Sequence, residues 1–373
     1  AYAATSLSTD VNASLGDLSV VKAGALVIQS RSASDVYQRM TTPSAGLIAG
    51  SSAISTLTLS SDSHAGMGDG SLVEVERLVV DAELDRAGDS KVNMRAAGLA
   101  AVVYGSETNQ FSGQATVGIG DNNSVDATQA IRIAATSYNE KNRFVPDGYS
   151  FEARTGGAAA SLLVTSITEF GGAQMGKNGA LLDIGTGTVL ALDNGSTQGA
   201  DFSVTAQHDA LLRGRLFGRA AAAAGYLDVD AELSHISEAT LNLSGASLKN
   251  RSGAIALTTQ TGGRVENIVT NRLFGAAVAG NTDNTSVFES DGRIFLDNTT
   301  LEARRLQVIS GGDVVGATPA TFATAATNLF TIGAAAIGFG DSTARVKEDN
   351  GVLVSGASAL QAAGSIDLRA KSW

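Results

Sequence analysis

The 373 residues contain no cysteine, so neither disulfides nor thiolate ligands can hold this fold together. That absence suits a reduced cytosol. It equally suits a bacterial secreted chain that crosses membranes unbridged. Proline occurs only three times and aromatic residues make up 5%. A core with so few rings must come from Ala, Val, Leu and Ile, and the 43% apolar content suffices for a large one. Charged residues are 17% of the chain, with a formal net charge of −11. Such an acidic balance argues against a nucleic-acid groove or an anionic membrane surface as partner. The most apolar piece, Ala220 to Leu227, is eight residues long. A spanning helix needs about 18 or more, so no membrane insertion is expected. The sequence opens at Ala1 without Met or a secretory leader, and reads as a segment of a longer protein.

What the chain does have is glycine, 43 of them, and repetition. One phrase recurs: large apolar, any residue, large apolar, any residue, small. It occurs at Leu26, Leu78, Ile131, Phe202, Ile255, Leu306 and Ile366, in steps of 52, 53, 71, 53, 51 and 60. A second phrase, ending in a Gly/Asp/Asn turn, keeps the same beat at Ala65, Ala115, Ala173, Ser286 and Ala344. Small-residue stretches lie between them. Pro43, Pro146 and Pro319 fall in one part of the unit, which is read as a loop because proline cannot donate to a strand ladder. Alternation with period two places Leu26 and Ile28, or Ile131 and Ile133, on one strand face. Gly-Asp, Asp-Gly and Asn-Gly pairs cut the strands into pieces. The expectation is an all-β fold, a β-solenoid running through residues 1–373 without domain breaks. Its repeats are about 52 residues. A coil takes roughly 20 to 27 residues, so each repeat reads as two coils and the whole as a narrow rod.

The stretches from Ala96 to Ser137 and from Arg251 to Gly263 carry the pattern most clearly. They resemble the repetitive passengers of bacterial filamentous-haemagglutinin-like and leukotoxin-like surface adhesins. The resemblance implies a right-handed parallel β-helix at the cell surface or outside the cell. It implies roles in display, adhesion or fibre formation, and it supplies no catalytic residues. The charged insert from Ser137 to Gly157 departs from the regular pattern.

Motifs of chemistry are sparse. Pectin-cleaving β-helices resemble one another in Asn-Thr-Asp, Asp-Asp, Gly-His-Gly and Arg-Ile-Lys; only the first occurs here, at Asn281 to Asp283. Glycoside hydrolysis needs two facing carboxylates, and one lone triplet is a weak signal. Arg213, Arg215 and Arg219 read as a solvated basic patch. His64, His208 and His235 lack metal-ligand spacing, and a surface role is expected for His208. Gly171 to Asn178 approaches a phosphate loop, but Asn178 stands where Ser or Thr belongs. No cofactor is expected. The acidic turns at Asp69, Asp121, Asp291 and Asp349 leave weak calcium binding open, although Asp is above all a turn former.

The leading expectation is therefore a non-enzymatic structural or adhesive segment of a large extracellular bacterial protein. The alternatives are a polysaccharide-binding or polysaccharide-cleaving β-helix and a self-assembling fibre subunit. Partners would be other copies, adjoining repeats of the parent chain, or glycans on a cell surface. One arginine follows the first phrase in five units: Arg39, Arg95, Arg143, Arg215 and Arg272. If the loops stack, these five form one basic line, a contact surface for an acidic glycan or a neighbouring filament.

Overall fold

The computed structural model describes residues 1–144, 148–172, 178–192, 201–311 and 321–371. Strand takes up 88% of the chain, and no helix occurs among the described residues. The strands are β1 (Tyr2–Leu15), β2 (Val20–Ala45), β3 (Ile48–Met67), β4 (Leu72–Ile119), β5 (Ser124–Lys141) and β6 (Phe151–Phe170). There follow β7 (Asn178–Ile184), β8 (Val189–Leu192), β9 (Asp201–Ser244), β10 (Ser247–Phe274) and β11 (Ala277–Asp297). The last are β12 (Thr300–Ser310), β13 (Phe322–Ile332), β14 (Ala335–Gly338), β15 (Asp341–Ser355) and β16 (Ala359–Ala370). All their pairings are parallel, in one continuous 16-stranded sheet, which is a β-solenoid-like architecture.

The ladder steps by one whole repeat. Leu26 pairs with Leu78, and the column continues through Ile131, Phe202, Ile255 and Leu306 to Ile366. The recurring phrase is thus one stacked column. Two coils per repeat is corrected, because the hydrogen-bonded neighbour of each strand lies a full repeat away. The physical reason is strand length: β2 alone runs 26 residues, about 80 Å of extended chain. Seven layers at about 4.8 Å make a stack about 30 Å high, not a long narrow rod.

Each coil is flattened into an outgoing and a returning limb that face each other. Inside the first coil, Ser30 bonds Ser63 at 2.7 Å, Ser32 bonds Ser61 at 2.8 Å and Thr42 bonds Ser51 at 2.8 Å. Numbers rise on one limb as they fall on the other, so the chain doubles back over a thin interior. Small residues line that interior because the limbs lie close. A Cβ on Gly88 would stand 2.0 Å from the Phe111 ring, and one on Gly105 would stand 2.1 Å from Met94.

The expected core residues point inward. Ile28, Leu78, Val80, Ile131, Ile133, Phe202, Val204, Ile255, Leu257, Leu306 and Val308 are buried, with Leu26 partly covered in the outermost layer. Ile366 and Leu368 are 46% exposed because no layer covers the last strand. The free edges of β1 and β2 at one end, and of β13 to β16 at the other, have no strand partner among the described residues. Pro43 corrects the loop reading: it sits within β2 and pairs with Arg95. It is tolerated because β2 is an edge strand, where a missing N–H breaks no ladder. Pro146 and Pro319 lie outside the described residues.

The long 71-residue step divides into three. The pairing offset rises from 53 between β4 and β5 to 59 against β6, to 65 against β7 and to 71 between β5 and β9. Six residues are added between β5 and β6, between β6 and β7 and between β8 and β9, while shifts inside the strand pairs, such as that between Val75 and Arg77, are of one or two residues. Burying a carboxylate in the column that runs from Val80 through Ile133 to Val204 is a severe test of this packing. Ile133→Asp is expected to cost about 4 kcal/mol or more of unfolding free energy. Urea titration followed by circular dichroism checks it, and a loss under about 1 kcal/mol would show that the column is not packed.

Candidate functional site

Stacking in register turns single residues into ladders. On the outer face of the outgoing limbs, Arg95 pairs with Arg154, Arg154 with Arg219, and Arg219 with Arg272. Four guanidinium groups therefore rise in one column, each on the layer above the last, and all four residues are exposed. Pro43 precedes the column and Phe330 follows it. Their neighbours Leu216, Ala220 and Leu273 face the interior. Rings support the cations: Arg154 and Arg272 lie 5.3 and 5.8 Å from the Phe217 centroid, and Arg219 lies 5.4 Å from that of Phe274. Such contacts contribute roughly 0.5 to 1 kcal/mol at exposed sites and hold the planar groups against the sheet. Glu152 takes part of the charge, 2.5 Å from Arg154. A groove of about 500 Å³ opens at the end of the column, lined by Arg272, Phe274, Asn328 and Phe330.

The five expected arginines do not make one line. Arg95 and Arg272 belong to this ladder, which Arg154 and Arg219 complete. Arg39 is exposed on β2 and pairs with Lys91 in a parallel column. Arg215 lies further along that column, its carbonyl accepting from the Ser150 amide at 2.9 Å. Arg143 is clamped just after β5, with Asp35 and Asp85 each at 2.8 Å and Glu140 at 2.7 Å. Burial works against its charge, but the bonds from Glu140 and Asp85 win and raise its pKa. Arg143 therefore ties three carboxylates together. The loop assignment fails because most of these arginines sit on strand faces. Arg154 escapes sequence reading, and Arg219 is read there only as part of a solvated patch, because the six-residue insertions hide the common column.

The opposite outer face is acidic. Asp230 pairs with Asp283, and Asp283 with Asp341. Asp228 and Glu232 flank Asp230 on the same limb. Burial and the charges of Asp283 and Asp228 raise the Asp230 pKa; burial, Glu169 and Asp230 do the same to Glu232. Asp283 belongs to the lone Asn-Thr-Asp triplet, whose Thr282 is buried and accepts from Asn271 at 2.6 Å.

The interior is polar midway along the limbs. Arg86 is fully buried, donates to Asn178, and leaves Nε and Nη1 without partners. Loss of hydration lowers its pKa to about 10, against the pull of Asp62. Glu107 is equally buried; it accepts from Ser90, from Asn109 at 2.7 Å and from Ser166 at 3.0 Å, and Lys141 lies 3.5 Å away. Asp89, its pKa raised by burial, accepts the Asn142 amide and the Phe144 amide at 2.7 Å, anchoring the corner after β5. His208 is not a surface residue. It is buried, with its Nε2 3.0 Å from that of His235, and the two rings stack at 5.0 Å. These groups lie between the two limbs.

The acidic turns are staples. The Asp69 carboxylate accepts the Asp121 amide at 2.8 Å, and the Asp121 carboxylate accepts the Thr186 amide at 2.7 Å. Asp291 and Asp349 share Arg293, at 3.4 and 2.7 Å. No group of three or more His, Cys, Asp or Glu able to hold a metal ion is found among the described residues.

No family model matches this sequence, and no curated protein or solved structure shows significant similarity to it.

The buried histidines make stability acid-sensitive. Burial lowers the His235 pKa to about 3, helped by Arg86; burial, then His235 and Arg86, hold His208 well below its ordinary range. Folded values below the unfolded value of about 6.5 mean that this stability is complete above that pH. It drains away as pH falls from there toward about 3. Asp89 and Asp209, with raised values, work in the opposite direction. In the double variant His208→Leu, His235→Phe the second change extends the column of Phe170 and Phe288, and the first sets an apolar group between Ser137 and Thr261. Its melting temperature is expected to vary less between pH 7 and pH 4 than the wild type's, by the equivalent of about 2 kcal/mol or more. Calorimetry at stepped pH reads this, and parallel curves would show that the histidines are not the source.

Proposed function

We propose that the chain is a structural and adhesive segment of a large bacterial cell-surface or extracellular protein, one continuous solenoid over residues 1–373. The observation that carries this reading is the repeated column register. From Leu26 to Ile366 every layer repeats the one before, and surface side chains are displayed as ladders rather than gathered in an enclosed cleft. Layered repeats of this kind commonly offer extended binding surfaces. The coils are right-handed on this reading, as parallel crossovers nearly always are. The stacked arginines supply an exposed surface for an anionic partner, and the uncovered edges suit adjoining repeats. A polysaccharide-binding reading is favoured by the groove beside Arg272, Phe274 and Phe330, where aromatic and polar groups meet.

The test is adhesion. Beads coated with the protein are expected to hold to cell layers and acidic polysaccharide films against flow. Beads carrying Arg154→Gln, Arg219→Gln and Arg272→Gln together are expected to detach at several-fold lower shear, with unchanged melting temperature. Equal detachment, at the level of uncoated beads, rejects an adhesive role. Release of new reducing or unsaturated sugar ends from the films would instead support the cleaving alternative.

A further inference from the structure

The basic and acidic ladders occupy the same stretch of the coil on opposite sides. Asn271 reaches across the interior to Thr282, and their chain neighbours Arg272 and Asp283 point away from each other into solvent. One layer earlier, a Cβ on Gly218 would meet Leu227 at 3.3 Å; beside them Arg219 and Asp230 are the exposed residues. The last layer repeats the arrangement with Phe330 and Asp341. Both ladders rise with the stacking of the strands, so both have the same spacing, about 4.8 Å per step. Neither ladder is neutralised by ion pairs among the described residues. Among the described residues, Glu152 at Arg154 is the one carboxylate paired with the arginine column, and no described lysine or arginine forms an ion pair with Asp230, Glu232, Asp283 or Asp341. Like charges stacked directly above one another repel.

Resting on the display reading above, we propose that the partner of the arginine ladder is the acidic ladder of a second copy of this chain. Copies then stack face to face. The basic outer sheet of one, at Arg95, Arg154, Arg219 and Arg272, meets the acidic outer sheet of the next, at Asp228, Asp230, Glu232, Asp283 and Asp341. Equal spacing lets three of the four guanidiniums face the carboxylates of Asp230, Asp283 and Asp341, the pairing in which arginine is strongest. Because the two faces differ and lie back to back, the contact is heterologous. It leaves the same pair of faces free at the ends and so extends into an open array. The net charge of −11 opposes approach at long range. At about 0.15 M ionic strength that repulsion is confined to about 8 Å, while the contact itself survives.

Sedimentation velocity and light scattering on the full chain decide the matter. At about 0.15 M salt the wild type is expected to reach roughly twice its monomer mass of 37.7 kDa or more as concentration rises. At about 1 M salt it is expected to return to monomer. Arg219→Glu with Arg272→Glu makes both faces acidic; Asp230→Lys with Asp283→Lys makes both basic. Each double variant alone is expected to stay monomeric with native circular dichroism, and an equal mixture is expected to recover the wild-type mass. A wild type that is monomeric throughout overturns the proposal. So does association that persists in either double variant, which would point to the strand edges, and so does a mixture that stays monomeric. If coated beads still adhere to glycan or cell surfaces after such a result, display stands and only the second copy falls.

Discussion

Everything in this fold follows from one constraint, the parallel hydrogen-bonded ladder that lays each residue on the one a repeat earlier. The ladder satisfies backbone donors and acceptors along strands as long as the 48 residues of β4. It also multiplies whatever side chain occupies a position. A leucine becomes a column of apolar groups, as from Leu26 to Ile366. An aspartate in a turn becomes a staple, as from Asp17 through Asp69 to Asp121. A charge on an outer face becomes a line of charge. Favourable pairings and repulsions both accumulate layer by layer, so the surface of such a protein is decided column by column.

The flattened coil sets a second condition. Its apolar interior divides into three parts. One lies by the tight turns and includes Ile131, Val117 and Leu182; one lies by the far bend and includes Met94, Phe151 and Leu227. Between them a smaller group around Phe111, Phe170 and Phe288 shares the middle of the coil with Arg86, Glu107, Lys141, His208 and His235. Apolar columns alone would tolerate a slip of two residues, since the alternation of inward side chains would survive it. A buried Glu107 with four partners would not, because a slip would strand a charge in the interior at a cost of several kcal/mol. The polar middle therefore resists the slip that the apolar ends would permit.

Much of this was legible in the sequence, and the reason is the ladder itself. The phrase at Leu26, Leu78 and Ile131 recurs because those residues touch, so its spacing reads out the stacking distance along the chain. The alternation in Leu26 and Ile28 showed which side was inside. The number of coils was not legible, because spacing alone does not say whether the chain turns once or twice per repeat. The facing of Ser30 on Ser63 decides it, and no local pattern marks that contact. The buried histidines were equally hidden. His208 follows a glutamine and precedes an aspartate, a polar setting that suggests solvent, yet alternation turns Gln207 and Asp209 outward and His208 in.

The irregularities are placed as telling a way as the regularities. Eighteen residues beyond the usual step separate Ile131 from Phe202, and they enter as three groups of six near residues 142–150, 171–177 and 193–200. Each group falls between described strands. A single-residue shift does occur within a strand, between Val75 and Arg77 against β5, and a local bulge there keeps Leu78 and Ile131 inside. Placed between strands, the additions leave Arg95, Arg154, Arg219 and Arg272 in one column although their spacings in the chain are 59, 65 and 53. The acidic column, Asp230, Asp283 and Asp341 at spacings of 53 and 58, shares the layers of Arg219 and Arg272 and runs one layer further. Loop length is free to vary in a solenoid because corners carry little of the packing. Face register is not free, because one shifted layer would set an arginine beside a phenylalanine or a threonine and break both lines of charge. The chain thus varies where variation leaves the ladders intact, and the two outer faces keep opposite signs across the same stretch of sheet.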